Sequence, residues 1–272
     1  MANQPIGFLD SGVGGLTVVK EALRQLPHED IVFIGDQARL PYGPRPASQV
    51  QEFTWQMVQF LLKKDIKMLV IACNTATAAA LEMIKPKLDI PVVGVILPGT
   101  RAAIKATQNN QIGIISTEGT YKSQAYVKAL HARNAQLKVT SLAAPKFVPL
   151  VESNEFDTPL ARKVVAETLA PFKQTAIDTL ILGCTHYPLL RPLIQEYLGD
   201  DVQLIDSGAE TVSEVSVLLD YFKLANLNTD RLATAEFYTT AAPEMFDLIG
   251  SQWLGLNDLK AQQVHLEKEI TD

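Results

Sequence analysis

Cysteine and histidine are scarce in this chain, which has two cysteines and four histidines among 272 residues. Neither a CxxC pair nor an HExxH motif occurs, so the sequence groups too few ligands for a standard zinc site. We therefore expect no metal. Two thiols in a chain without a secretory signal are expected to stay reduced, so we predict free cysteines rather than a disulfide.

Long apolar runs and an excess of positive charge are also missing. No stretch approaches the roughly 18 apolar residues of a membrane span, and the N-terminal MANQPIGFLDSG has neither the basic nor the apolar region of a signal peptide. The net charge of −6 argues against a nucleic-acid-binding surface. We expect a cytoplasmic globular protein of about two domains that binds small molecules, not nucleic acid or membrane.

Nucleotide-binding and serine-hydrolase motifs are lacking as well. The glycine-rich segment 10–15, DSGVGG, is followed by neither the Gly-Lys-Ser/Thr of a P-loop nor a full dinucleotide fingerprint, and no GxSxG occurs. We discount NAD and ATP and expect no cofactor. The backbone N–H groups of this loop would instead suit a carboxylate.

Short apolar runs alternate with segments of helical periodicity, which predicts a parallel α/β fold. A capping-box pattern at Ser48 and Gln51, and Thr158 followed by Pro159, predict two helix starts. The apolar runs are IGFL at 6, IVFI at 31, MLVI at 68, VVGVI at 92, IGII at 112, LILG at 180 and QLI at 203.

Three pairs of similar segments recur in the same order about a hundred residues apart. This internal repeat predicts two similar α/β lobes related by a pseudo-twofold axis. We assign residues 1–97 and 207–272 to the first lobe, residues 98–206 to the second, and the active site to the cleft between them. The tail EKEITD is expected to be a solvated end. The paired segments are IGFLDSGVGG and IGIISTEGT, KMLVIACNT and TLILGCTHY, and GVILPGT and LIDSGAE.

Cys73 and Cys184 each follow a predicted strand at equivalent points of the two lobes, where open α/β sheets bind ligands. A lone cysteine would be interpreted as a small buried hydrophobe. Two equivalent ones favour function, because inverting a stereocentre needs an acid on one face and a base on the other. An ordinary thiol pKa of about 8.5 keeps both forms within reach, and a helix N-terminus after each strand would stabilise the thiolate.

Two neighbours are candidates to assist these thiols. His186 lies two residues beyond Cys184 and could relay a proton, or it could be a structural histidine. Asp10 ends the first predicted strand and could orient a cysteine, or it could cap a helix.

Other polar groups at strand ends suit the ammonium and carboxylate groups of an amino acid. Tyr42 and Gly43 lie in a proline-flanked loop that could cover the cleft, or that could be only a tight turn. The strand-end candidates are Ser11, Asn74, Thr75, Thr117 and Thr185.

Taken together, LDSGVGGLTVV, GDQARLPYGPR, IACNTATAAAL, GVILPGTRAA, LGCTHYPLL and IDSGAETV resemble the bacterial glutamate racemase family over residues 5–220. The resemblance implies a cofactor-independent racemase, commonly a homodimer, that supplies D-glutamate for peptidoglycan. Cys73 would deprotonate D-glutamate and Cys184 L-glutamate, with Asp10 and His186 assisting. The substrate would be held by Asp10, Ser11, Tyr42, Gly43, Asn74, Thr75, Thr185 and His186.

Three points stay open on the sequence. Glu152 matches an acidic cleft residue of the family, or it is a surface charge. An aspartate or hydantoin racemase would share the two thiols, although the histidine of CTHYPLL and the PYG loop favour glutamate. A non-catalytic amino-acid-binding module would use the same fold without exchanging a proton.

Overall fold

The computed structural model describes residues 2–228, 230 and 232–266. Two parallel sheets lie within these ranges. The first sheet has the strand order β10-β9-β2-β1-β3-β4 and the second has the order β6-β5-β7-β8. The strands are β1 Ile6–Asp10, β2 Ile31–Gly35, β3 Met68–Ile71, β4 Val92–Gly94, β5 Gln111–Ser116, β6 Lys138–Ala143, β7 Thr179–Gly183, β8 Gln203–Asp206, β9 Ala235–Thr239 and β10 Ala261–Gln263.

Helices connect the strands and cover the sheets. The loop after β1 contains a short 3-10 turn before α1, and a second 3-10 segment, Tyr187–Leu190, precedes α9. The α-helices are α1 Leu16–Gln25, α2 Ala47–Leu62, α3 Asn74–Ile84, α4 Ile96–Ala106, α5 Glu118–Ser123, α6 Ala125–Arg133, α7 Phe147–Glu152, α8 Pro159–Leu169, α9 Arg191–Leu198, α10 Ser207–Tyr221 and α11 Pro243–Leu254.

The internal sequence repeat corresponds to a strand order that occurs in both sheets. Four consecutive strands of the first sheet run β2-β1-β3-β4, and the four strands of the second run β6-β5-β7-β8 in the same sense. The first pair of similar segments contains β1 and β5, and the second pair contains β3 and β7. The third pair begins within β4 and β8, at Gly94 and Leu204. This confirms the predicted fold class of two similar parallel α/β lobes.

The chain leaves the first sheet after β4 and returns to it with β9 and β10. Helix α10 packs against both α1 and α4, so it lies at the junction of the two lobes. Lobe boundaries near residues 97 and 206 remain a prediction. The tail EKEITD lies outside the described residues.

The central strands form because their apolar residues are buried on both faces. All five residues of β1, β2 and β7 are buried, which explains why they appear in the sequence as continuous apolar runs. Edge strand β6, KVTSLA, is only partly buried and has no such run.

Of the two predicted helix starts, one is confirmed. The Thr158 hydroxyl accepts the N–H of Ala161 at 3.1 Å. The capping box at Ser48 is wrong, because α2 already begins at Ala47 with extended Pro46 before it. No helix within the described ranges has the length and apolarity that a membrane crossing requires.

Candidate active site

A cavity of about 290 Å³ lies where the carboxyl ends of strands from both sheets meet. Both cysteines line it. So do the loop 40–44 after β2 and three residues after β6, namely Pro145 and, at the start of α7, Val148 and Pro149. The lining residues are Ser11, Leu40, Pro41, Tyr42, Gly43, Pro44, Cys73, Asn74, Thr75, Thr117, Glu118, Pro145, Val148, Pro149, Glu152, Cys184, Thr185 and His186.

Cys73 lies between β3 and α3 and caps the helix with its sulfur. Its Sγ accepts the N–H of Ala76 at 3.4 Å and lies 3.6 Å from the Ser11 hydroxyl. Burial, followed by the charge of Asp10, raises the pKa of Cys73 to about 12, against the smaller lowering by these two hydrogen bonds. Cys73 is therefore a neutral thiol near neutral pH.

Cys184 follows β7 and has a different set of neighbours. Its Sγ lies 3.7 Å from Nδ1 of His186, and Nε2 of that ring lies 2.9 Å from Oε1 of Glu152. Burial alone would lower the pKa of His186, but the hydrogen bonds to Cys184 and Glu152 raise it to about 10. The imidazole is therefore a cation near neutral pH, and it favours negative charge on the adjacent sulfur.

The predicted helix N-terminus after each cysteine strand is present at Cys73 and absent at Cys184. After β7 the chain forms the 3-10 segment Tyr187–Leu190, and α9 begins only at Arg191 with Pro192 in its first turn. His186 thus takes the place that a helix N-terminus has beside Cys73.

Asp10 is fully buried and does not line the cavity itself. Its Oδ1 accepts the N–H of Gly12 at 3.0 Å, and its Oδ2 accepts the Thr185 hydroxyl at 3.4 Å. Burial raises the pKa of Asp10 to about 6, although His186 and the hydrogen bonds lower it. One oxygen of Asp10 thus supports the glycine-rich loop and the other contacts Thr185 of the second lobe, and a role in orienting a cysteine stays a prediction.

The glycine-rich loop allows the two sheets to approach each other closely. A Cβ on Gly14 would lie 2.4 Å from both the His186 ring and the Thr185 hydroxyl, so a side chain cannot fit there. The Thr17 hydroxyl donates to the backbone oxygen of Thr185 at 2.8 Å. The loop contributes Ser11 to the cavity wall, and its role in binding a carboxylate stays a prediction.

Tyr42 and Gly43 are held against the cavity by a buried carboxylate. Asp36 accepts hydrogen bonds from the Tyr42 hydroxyl, from Arg39 Nε at 2.6 Å and from the Thr240 hydroxyl at 2.8 Å. Burial, together with the Asp36 charge, raises the pKa of Tyr42 well above its ordinary value. The loop is thus tied to the end of β9 and is more than a tight turn.

Threonine hydroxyl groups from both lobes meet at the wall of the cavity. Thr75 and Thr117, one from each lobe, lie 2.8 Å apart through their hydroxyl oxygens, and Thr120 joins them at 3.4 and 3.2 Å. This cluster offers exchangeable donors and acceptors to a polar ligand.

Every sequence-predicted site residue except Asp10 lines this one cavity. Glu152 does so too, paired with His186 and therefore not a free surface charge. Sequence reasoning missed Glu118 and the segment Pro145–Pro149, because β6, the strand before that segment, carries no apolar run. It also missed Asp36 and Tyr126, which do not line the cavity but donate or accept hydrogen bonds with residues that do, Tyr42 and Asn74.

Comparison with known proteins agrees with this geometry. A family profile described as Asp/Glu/Hydantoin racemase matches residues 10–215, which is more than half of the chain. The chain belongs to this racemase family. Within the family it is 65% identical to a glutamate racemase of Carnobacterium sp. (strain St2), over 98% of this chain and 100% of that protein.

Solved structures of the racemase family superimpose on the whole chain. A glutamate racemase from Bacillus anthracis matches with a TM-score of 0.95 and 46% identity, over 98% of this chain and 99% of that one. A glutamate racemase from Francisella tularensis, solved in complex with D-glutamate, matches with a TM-score of 0.92 and 35% identity, over the same shares. The relatives thus have the fold and length of this chain.

Proposed function

We propose that this protein is a glutamate racemase that interconverts L- and D-glutamate with two thiols. One observation carries the proposal: Cys73 and Cys184 follow equivalent strands of the two sheets, β3 and β7, and line one cavity. A racemase must act as a base on one face of the α-carbon and as an acid on the other. Two groups of the same type, one from each lobe, meet that requirement.

In the proposed reaction a thiolate removes the α-proton and the opposite thiol donates a proton to the other face. Cys73 deprotonates D-glutamate and Cys184 deprotonates L-glutamate, and each returns the proton in the reverse direction. Catalysis leaves one sulfur protonated and the other deprotonated after every turnover. The two thiols supply both proton transfers, and the mechanism calls for no cofactor.

The remaining groups assist the thiols or hold the substrate. His186, fixed by Glu152, stabilises negative charge on Cys184, and Asp10 influences Cys73 through its charge. The substrate ammonium and carboxylates are bound by cavity-lining residues, whereas Asp10 lies behind the cavity wall and acts through Thr185. The proposed binding residues are Ser11, Tyr42, Gly43, Asn74, Thr75, Thr117, Glu152, Thr185 and His186. An ammonium group close to Cys73 would offset the negative charge of Asp10 and ease ionisation of the thiol.

The cellular role proposed with this activity is supply of D-glutamate for peptidoglycan, and thus for cell-wall formation. Both cysteines are free thiols, which suits a reducing cytoplasm. A homodimer is part of the proposal, and its support is the resemblance to a family in which homodimers are common.

Proton NMR of each pure enantiomer with metal-stripped protein in deuterated water tests the function, alongside optical activity. We expect loss of the α-proton signal from both enantiomers, with optical activity decaying to zero. Aspartate is the control for the nearest related activity. Exchange with aspartate and not with glutamate would reassign the substrate, and no exchange with either would leave a binding module.

A further inference from the structure

The side-chain amide of Asn74 has one hydrogen-bonded end and one open end. Asn74 directly follows Cys73, is 2% exposed and lines the cavity. Its Oδ1 accepts the Tyr126 hydroxyl at 2.7 Å, whereas its Nδ2 has no partner among the described residues. A buried N–H₂ group without a partner destabilises the folded protein, because it has lost its hydrogen bonds to water. An oxygen atom of a bound molecule would supply the missing partner.

Tyr126 reaches Asn74 from the other lobe, through α6. Its ring is buried against the end of β7, since a Cβ on Gly183, the residue before Cys184, would lie 3.1 Å from the ring. Burial raises the pKa of Tyr126 well above its ordinary value, against a smaller lowering by hydrogen bonding to Ser207. The hydroxyl therefore keeps its proton across the physiological pH range.

The same hydroxyl is supported from the strand that leads to Cys184. Ser207, at the start of α10, donates to the backbone oxygen of Leu182 at 3.2 Å and also interacts with Tyr126. Tyr126 thus lies in a chain of polar groups between β7 and the residue that follows Cys73. The ring of Tyr126 packs against Gly183 and its hydroxyl donates to Asn74, so contacts at both ends of the side chain fix its position.

We propose that Tyr126 is a positioning residue that holds the Asn74 amide with its N–H₂ group directed to a carboxylate of the substrate. The proposal rests on the proposed glutamate racemase function. An amide turned by half a rotation would present its oxygen to the carboxylate, which is repulsive. A hydroxyl donor on Oδ1 selects the productive orientation before the substrate arrives.

The test is a double-mutant cycle of Tyr126→Phe and Asn74→Ala, read as KM and kcat for both enantiomers. We expect Tyr126→Phe to raise KM about tenfold while kcat changes far less, because binding is weakened and the thiols are untouched. In the Asn74→Ala background the same change should alter KM less than about twofold. Tyr238→Phe is the matched control, because it also removes the hydroxyl of a buried tyrosine. That hydroxyl donates to Glu236 over 2.6 Å and does not line the cavity.

Three outcomes would overturn the inference: an unchanged KM in Tyr126→Phe, an equal effect of that change in both backgrounds, or a loss of kcat alone. Racemisation by the unsubstituted protein separates these from failure of the function, since no racemisation would remove both. If Tyr126→Phe does not fold, the KM of Asn74→Asp is the test of the proposal. Its carboxylate keeps the bond to Tyr126 but repels the substrate, so KM should exceed that of Asn74→Ala; a lower KM would contradict the proposal.

Discussion

The two cysteines occupy equivalent places in the two lobes, but the groups around them differ. Beside Cys73 lie a helix N-terminus, the Ser11 hydroxyl and the buried charge of Asp10. Beside Cys184 lies the His186 imidazole, which Glu152 holds in place. The repeated strand order explains the symmetric pair of thiols, and the loops after the strands explain the asymmetry.

This difference has opposite electrostatic effects on the two sulfur atoms. Burial and the Asp10 charge raise the pKa of Cys73 to about 12, so this sulfur keeps its proton. The pKa of His186 is raised to about 10, so a cation lies beside Cys184 near neutral pH. In the proposed mechanism, conversion of L-glutamate begins with negative charge on Cys184 and a proton on Cys73, which is the arrangement that these neighbours favour. The reverse direction requires the opposite distribution of the proton.

Removing either sulfur should have the largest effect. We expect Cys73→Ser and Cys184→Ser each to lower racemisation about a thousandfold or more, because a serine hydroxyl is a far weaker acid at the same place. Each variant should still exchange one α-proton with solvent while keeping the configuration: D-glutamate in Cys184→Ser and L-glutamate in Cys73→Ser. Proton NMR in deuterated water measures both. Exchange of the opposite enantiomer would reverse the assignment, and ordinary turnover would refute it.

Removing the cation beside Cys184 should lower activity about a hundredfold. His186→Gln can still contact Glu152 but cannot carry a positive charge, so negative charge on the sulfur loses its stabilisation. The two enantiomers are equally stable by symmetry, so kcat/KM must fall by the same factor in both directions, and any difference appears in kcat and KM separately. His131→Gln is the control, because His131 contacts the backbone oxygen of Leu137 on another part of the lobe. Equal kinetics in the two variants would contradict the role of His186.

Removing the charge of Asp10 beside Cys73 should stabilise the fold at alkaline pH. Burial raises the pKa of Asp10 from 3.8 to about 6, so the native state binds this proton more tightly than the unfolded chain does. Its stabilising contribution is present below about pH 4 and is lost as the pH rises through about 6. Asp10→Asn should increase the free energy of unfolding by about 2 kcal/mol near pH 8, with a smaller gain near pH 4.

Urea unfolding at the two pH values measures this gain, and Asp178→Asn provides a control of opposite sign. Burial alone would raise the pKa of Asp178, but hydrogen bonds from Thr107 and from the N–H groups of Gln108 and Asn109 lower it. Neutralising Asp178 should therefore destabilise the protein above its ordinary pKa. A loss of stability in Asp10→Asn at high pH would contradict the buried-charge interpretation.

The central part of the fold could be predicted from the sequence, because its strands are buried on both faces. Strands β6 and β10 could not be predicted in this way. Lys138–Ala143 is partly exposed at a sheet edge, and Ala261–Gln263 is short and polar. Both strands depend on pairing with a neighbour, which leaves no apolar run in the chain.

The residues of the candidate site likewise differ in how far the sequence could predict them. Residues next to a strand end, such as Cys73 and Thr185, could be placed in the cleft because parallel strands bring their carboxyl ends together. Tyr126 could not, since it lies within helix α6 and its partner Asn74 is 52 positions away in the chain. Contacts over such separations exist only in the folded protein.

Chemical labelling should show the smallest of these effects and the most direct comparison of the two thiols. Their exposures are almost equal, 5% for Cys73 and 7% for Cys184, so access to a small reagent does not distinguish them. Because the thiolate is the reactive form, iodoacetamide near neutral pH should modify Cys184 about tenfold faster than Cys73. Peptide mass spectrometry over time measures both rates in one sample.

His186→Gln is the matched variant for this labelling, because it removes the cation without touching either sulfur. We expect the preference for Cys184 to disappear there and the rate at Cys73 to stay unchanged. Asp10→Asn should do the converse and raise the rate at Cys73, since the Asp10 charge is one cause of its raised pKa. Faster labelling of Cys73 than of Cys184 in the unsubstituted protein would contradict the difference inferred between the two thiols.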